Sequence, residues 1–125
     1  MQAKPAAATA APAAPAKWIP PIKGQATVDF IQAKPTKVKG EVLTKMKVKN
    51  TSKGSIALLT VEEIWYDNKS QIASNGRHLH RALLNPGEVV EFTLASEDKP
   101  NLYQNMLSFK HANGPIKPTR VTKFN

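Results

Sequence analysis

The side chains with the most chemistry to offer are three histidines. His78 and His80 stand two apart in Arg77-His78-Leu79-His80-Arg81, and His111 lies further on. Residues two apart on a strand share a face. Two such rings are a workable pair of ligands for Cu(II), Ni(II) or Zn(II), with His111 or the Met106 thioether as a third. Against this, Arg77 and Arg81 bracket the pair with positive charge, and no Asp or Cys lies close by. The simpler expectation is structural or surface histidines with no metal. The carboxylates offer less. Glu62-Glu63 and Glu97-Asp98 are sequence neighbours, and neighbours on a strand point to opposite faces, so they cannot flank one substrate bond. There is no cysteine, no Gly-x-Ser-x-Gly and no glycine cluster ahead of a helix. Nucleophile, base and orienting group never come together, so neither an enzyme nor a cofactor site is expected.

Lysine is the other conspicuous resource. The chain carries 18 basic and 9 acidic residues, a net charge of +9, and only Arg77, Arg81 and Arg120 are arginines. Lys37, Lys39, Lys45, Lys47 and Lys49 share one parity, and Lys53 follows. On a strand they form a row of ammonium groups at about 7 Å spacing. Such a row binds polyanions (nucleic acid, anionic lipid or wall polymer) by counterion release. Its bland counterpart is a solvated face that discourages edge-to-edge aggregation. Few aromatics interleave with it, which argues against stacking on single-stranded bases. Trp18 and Trp65 are the candidate partner-contact aromatics. Trp18 sits in the apolar lead-in Lys17-Trp18-Ile19-Pro20-Pro21-Ile22, which is expected to pack on a sheet edge.

These residues need strands to position them. Ala26, Val28 and Phe30 alternate with Thr27 and Asp29, and Val38, Val42, Met46 and Val48 alternate with the lysines over Val38–Asn50. Val90, Phe92 and Leu94 alternate with Glu91 and Thr93, and Leu107 and Phe109 repeat the pattern. Period-2 alternation marks strands with one buried face. Glu91 is expected to meet the lysine row from an adjacent strand. In the stretch Ile56–Tyr66 the parity is not clean, because Leu59, Val61 and Trp65 would carry Glu63 inward. A bulge near Glu62-Glu63 resolves this; an inward Glu63 with a basic partner is the other solution. Turn chemistry separates the strands at Asn50–Gly54, Asp67–Ser70, Asn75-Gly76, Asn85–Glu88, Asp98–Asn101 and Asn113-Gly114. The Pro-Gly pair at 86–87 suits a type II turn. Asn50-Thr51-Ser52 and Asn68-Lys69-Ser70 match the glycosylation sequon, but both fall in turns, where such residues serve conformation.

About seven short strands and no helix imply an all-β chain, an antiparallel immunoglobulin-like (fibronectin-like) β-sandwich over residues 24–125. Residues 1–23 are rich in alanine and proline and read as a disordered tether. Tethers of this kind join an export signal or membrane anchor to an envelope domain, so an extracytoplasmic location, periplasmic or secreted, is expected. No apolar run approaches the length of a membrane-spanning helix.

Residues 38–111 resemble bacterial FxLYD-type and related immunoglobulin-like envelope domains. The likeness rests on Val48-Lys49-Asn50-Thr51-Ser52, on Tyr66-Asp67 with its polar turn, and on Leu84-Asn85-Pro86-Gly87-Glu88 ahead of an alternating strand. The family's Phe and Leu positions are Glu63 and Trp65 here. The resemblance implies a non-enzymatic extracytoplasmic module. The expected work is binding a protein partner, or self-assembly, through sandwich surfaces and edges. Polyanion binding through the lysine face is the alternative, and metal binding through the histidines a third.

Overall fold

The computed structural model describes residues 18–124; residues 1–17 of the expected 1–23 tether lie outside them. There is no helix among the described residues. The strands are β1 (Ala26–Gln32), β2 (Thr36–Val38), β3 (Glu41–Asn50), β4 (Leu59–Asp67), β5 (Ile72–His80), β6 (Val89–Glu97), β7 (Leu102–His111) and β8 (Gly114–Arg120). Hydrogen bonding links them in one curled sheet, β2-β3-β1-β8-β7-β4-β5, with β6 on the other side of β3. The all-β expectation therefore holds. The sheet itself is a half-barrel, in which β8 pairs with both β1 and β7 and joins the two halves.

The core follows from alternation. Ala26, Val28 and Phe30 face inward from β1, and Val42, Met46 and Val48 from β3. Leu59 and Val61 meet them from β4, Leu94 from β6 and Phe109 from β7. The Phe30 and Phe109 rings lie 4.9 Å apart across the two halves. Glu91 pairs with Lys47 in the β3–β6 register, with Nζ 3.9 Å from Oε2, as the charge pattern anticipated.

Several sequence expectations need correction. Lys39 and Gly40 both have positive φ, 48° and 84°, which suits a two-residue type I′ hairpin. Val38–Asn50 is thus two strands, and Val38, expected in the core, is exposed. Asn75-Gly76 is no turn; it lies inside β5. Glycine is needed there because a Cβ at position 76 would lie 2.4 Å from the Ala95 carbonyl oxygen. No bulge interrupts Glu62-Glu63, since the β4 register runs unbroken from Thr60 to Trp65 and shifts only beyond it. Glu63 points inward and is fully buried. Its partners are not basic: Thr44 Oγ1 donates to it at 2.9 and 3.2 Å and Asn105 Nδ2 at 2.7 Å. Finally, β1 and β8 run parallel, so the sheet is not wholly antiparallel.

The motifs that carried the family resemblance all hold turns. Asn50 is buried; its Nδ2 donates to the Gly54 and Leu84 carbonyls and its Oδ1 accepts from the Ser52 N–H. Its backbone meets the Pro-Gly turn, accepting from Gly87 N–H and donating to the Glu88 carbonyl. With its amide nitrogen so engaged, Asn50 is a poor glycan acceptor. Glu88 N–H donates to the Asn85 carbonyl, and φ of Gly87 is 83°, the type II geometry. Asp67 Oδ1 accepts from the Lys69 and Gln71 N–H groups. Those bonds, Gln71 first, hold its carboxyl below the usual aspartate range.

Candidate functional site

A curled sheet that does not close must end in edges, and an edge carries unpaired backbone donors and acceptors. On one side of this half-barrel the edges seal against each other. Ser74 Oγ of β5 donates to the Glu97 carbonyl of β6 at 2.6 Å, and Gly76 lets the backbones approach. His78 of β5 stacks on Phe92 of β6, with ring centroids 4.2 Å apart and planes 6° from parallel.

On the other side the half-barrel is open. β8 pairs with β7 only at Lys110–Pro115 and His111–Gly114, then departs to run along β1. From Leu102 to Phe109, β7 is paired with β4 alone among the described residues. Every second residue of that run directs its N–H and C=O away from β4. Among the buried core residues the highest exposures fall here: Phe30, Phe109 and Ile116 keep 8, 7 and 8%, while Met46, Leu59, Val61 and Leu94 keep 1% or less.

The edges also differ in protection. β2 is flanked by Lys34 and Pro35 and contains Lys37. β8 contains Pro115, Lys117, Pro118 and Arg120. Proline and charge are the usual guards of an exposed edge. The free run of β7, Leu-Tyr-Gln-Asn-Met-Leu-Ser-Phe, has neither. It displays Tyr103 at 72% and Met106 at 54% exposure. Of this edge the sequence singled out Leu107 and Phe109, as inward strand residues, and Met106, as a metal ligand; none was marked as an edge. The available signal was a run of ten uncharged residues, Pro100–Phe109, between Lys99 and Lys110.

The histidines do not gather. His78 and His80 lie opposite Val61 and Leu59, on the inner face of β5. Burial pushes the pKa of both below the ordinary histidine value; the neighbouring His80 lowers His78 further, while Glu88 works against the shift at His80. His111 is buried at the β7–β8 turn, where Nε2 lies 2.7 Å from the Gly24 carbonyl and Nδ1 3.4 Å from the Asn113 N–H. In the tautomer that donates to Gly24, both nitrogens are engaged. Among the described residues, no three His, Cys, Asp or Glu side chains cluster in a way that could hold a metal.

The lysine row is divided. Lys45, Lys47 and Lys49 alternate along β3, whereas Lys37 is on β2, Lys39 in the hairpin and Lys53 in the loop after β3. Lys37 lies 3.6 Å from Asp98. Lys45 and Lys47 flank a shallow open groove with Ile31, Ala33, Glu91 and Thr93. Of the tryptophans, Trp18 is 72% exposed, although the lead-in behind it docks: Ile22 N–H donates to the Ser55 carbonyl and Ser55 N–H to that of Pro20. Trp65 is half-buried, and its indole N–H meets no acceptor among the described residues.

No protein-family model matches the chain, and no curated protein matches it in sequence. Solved structures do resemble it in shape. IrmA from Escherichia coli aligns at a TM-score of 0.52 and 10% identity, over 75% of this chain and 92% of that one. The trimeric lipoprotein SadB of Salmonella enterica aligns at 0.50 and 15% identity, over 66% of this chain and half of that one. A glycoside hydrolase family 2 β-glucuronidase aligns at 0.50 and 10% identity, over 70% of this chain but a tenth of the enzyme. At such identities the likeness is one of fold alone.

Proposed function

We propose that this chain is a non-enzymatic interaction or assembly module of the cell envelope, an immunoglobulin-like or FxLYD-like domain that receives a partner strand along β7. The observation that carries this reading is the unpaired, uncharged Leu102–Phe109 edge beside Phe30, Phe109 and Ile116 of the core. Strand addition takes its affinity from main-chain hydrogen bonds and its selectivity from alternate side chains, and β7 offers both. The immunoglobulin-like identity draws support from the two halves of the sheet facing each other across Phe30 and Phe109. The FxLYD-like identity draws support from Asn50, Asp67 and the 85–88 turn, each holding backbone where the resemblance placed a turn. For the location, the Ala/Pro-rich start of the sequence and the lipoprotein nature of one structural neighbour point the same way. No helix among the described residues is long and apolar enough to cross a membrane. Polyanion binding has weaker support, because Lys47 and Lys37 already face Glu91 and Asp98.

A photo-crosslinking residue at Tyr103 tests the reading in the source cell, with one at Thr93 on β6 as control. The expected adduct forms from position 103, is absent from 93, and is lost when Gln104 and Met106 are both changed to Lys. No adduct, or the same adducts from both positions, refutes the edge as the working surface. Fractionation that leaves the mature chain in the cytosol refutes the location.

A further inference from the structure

Resting on the edge reading above, we infer that the β7 edge takes an acidic extended strand from a different protein, and that a second copy of this chain is a poor occupant. A strand added to β7 lies about 4.8 Å from it and turns alternate side chains toward the opening. There they meet Leu107 and Phe109 of β7 and Phe30 of β1, so small apolar or β-branched residues fit at those positions. The next group along the opening is Arg120. It shares its β8 face with Ile116, pairs with Phe30 in the β1–β8 register, and is exposed. No carboxylate among the described residues lies within ion-pair distance of it. Lys110, at the foot of the free run, is exposed as well. The acids nearest in register do not offset them. On β4, Glu62, Glu63 and Asp67 lie opposite Ser108, Leu107 and Leu102, and each is already engaged: Glu62 accepts from Asn75 Nδ2 on the β5 side, Glu63 is buried and accepts from Thr44 and Asn105, and Asp67 accepts from the Lys69 and Gln71 N–H groups. Asp29 faces Lys49 across β1 and β3.

Guanidinium and ammonium groups around an apolar slot select carboxylates in the incoming strand. They also select against self-pairing. Two chains of net charge +9, joined at β7, would bring two basic rims together. Main-chain pairing gives the affinity, and the rim gives the choice of partner.

The test uses the full chain and two capped heptapeptides, Glu-Val-Thr-Val-Thr-Glu-Thr, which turns two valines and then a glutamate to one face, and the same peptide with Lys for every Glu. Calorimetry gives affinity, and amide exchange by NMR gives the place. The acidic peptide is expected to bind at least about tenfold tighter than the basic one, with affinity falling as salt rises. Exchange should slow at alternate amides of 102–109 and not along β5. Arg120→Glu should erase or invert the preference while leaving the urea midpoint unchanged, since that side chain is exposed. If both peptides bind β7 equally, or the basic one better, the edge reading stands and the acidic-strand inference falls. The inference falls likewise if neither binds but sedimentation shows a dimer that Met106→Lys abolishes. If neither peptide binds and the chain stays monomeric, the inference falls, and crosslinking from Tyr103 decides the edge reading separately.

Discussion

Glu63 is a carboxyl group placed in the middle of an apolar layer, and its removal tests how the two halves of the sheet are tied. It sits on β4 and is fully buried. It accepts from Thr44 Oγ1 of β3 at 2.9 and 3.2 Å, from Asn105 Nδ2 of β7 at 2.7 Å, and at the 3.5 Å limit from Ser96 Oγ of β6. In Glu63→Ala these donors lose their acceptor. The Thr44 and Ser96 hydroxyls can rotate toward backbone carbonyls, whereas the Asn105 amide is left facing a void. An unsatisfied buried donor costs about 1–3 kcal/mol, and the vacated methylenes add roughly another 1–2 kcal/mol. A loss near 3–4 kcal/mol is expected, a large part of the 5–15 kcal/mol typical of whole domains. Glu63→Gln keeps one acceptor oxygen and should cost about 1–2 kcal/mol. The triple change Thr44→Val, Glu63→Leu, Asn105→Leu removes donors and acceptors together, so it should cost less than Glu63→Ala alone. Urea unfolding at neutral pH measures all three, provided the m-value is unchanged. A cost for Glu63→Ala below about 1 kcal/mol, or a triple variant weaker than the single one, refutes the view that satisfied hydrogen bonding makes this buried carboxyl tolerable.

Other outcomes follow from the same structure. Gly76→Ala should lower stability by roughly 1–3 kcal/mol or open the β5–β6 seam, because its Cβ would meet the Ala95 carbonyl at 2.4 Å; thermal melting checks this. For pH, burial lowers the folded-state pKa of His78 and His80 below the ordinary 6.5. A depressed histidine favours folding above the unfolded value and loses that contribution as pH falls below 6.5 toward the folded value. The urea midpoint should therefore drop on acidification from pH 7.5, and His78→Phe should flatten part of that drop. For the lysine face, β3 supplies Lys45, Lys47 and Lys49 as its adjacent cations. The log–log salt slope of heparin binding should then be no steeper than about −3, and a slope near that of all six candidate lysines acting together would restore the undivided row.

How much of this could be read from the sequence depended on which interaction set each feature. Alternation on β1, β3 and β6 was legible because one face of each is buried and period 2 leaves no slack. The Lys47–Glu91 pairing was legible because a row of like charges calls for acids on an adjacent strand. The Lys39-Gly40 hairpin was hidden, since lysine seldom takes positive φ and the turn kept the polar parity of the lysines around it. Asn75-Gly76 misled for the opposite reason: the same dipeptide serves turns and close backbone approaches, and only the position of Ala95 distinguishes them. Glu63 was ambiguous because its partners, Thr44, Ser96 and Asn105, are neutral residues from three distant segments. The candidate site was hardest to see. A free edge is a property of topology: Pro115 and Pro118 announce that Gly114–Arg120 is a poor ladder partner, but not that β8 runs parallel to β1.

That departure links fold to function. Had β8 stayed paired with β7, the last strand would have guarded Leu102–Phe109, and Phe30 and Phe109 would lie under a closed wall. Pro115 and Pro118 work against that arrangement, since neither has an N–H to give to a ladder. Meanwhile Gly76, Ser74 and the His78–Phe92 stack fix the opposite seam. The half-barrel therefore has one side held shut by specific contacts and one side left open where β8 lacks a donor, since Pro115 and Pro118 are three apart and only one of them can aim at β7. Restoring donors with Pro115→Thr and Pro118→Thr should lengthen the β7–β8 ladder, slow amide exchange along 102–109, and weaken binding of an added strand. Unchanged exchange on β7 in that variant would show that the opening is set by β1–β8 pairing and not by the prolines.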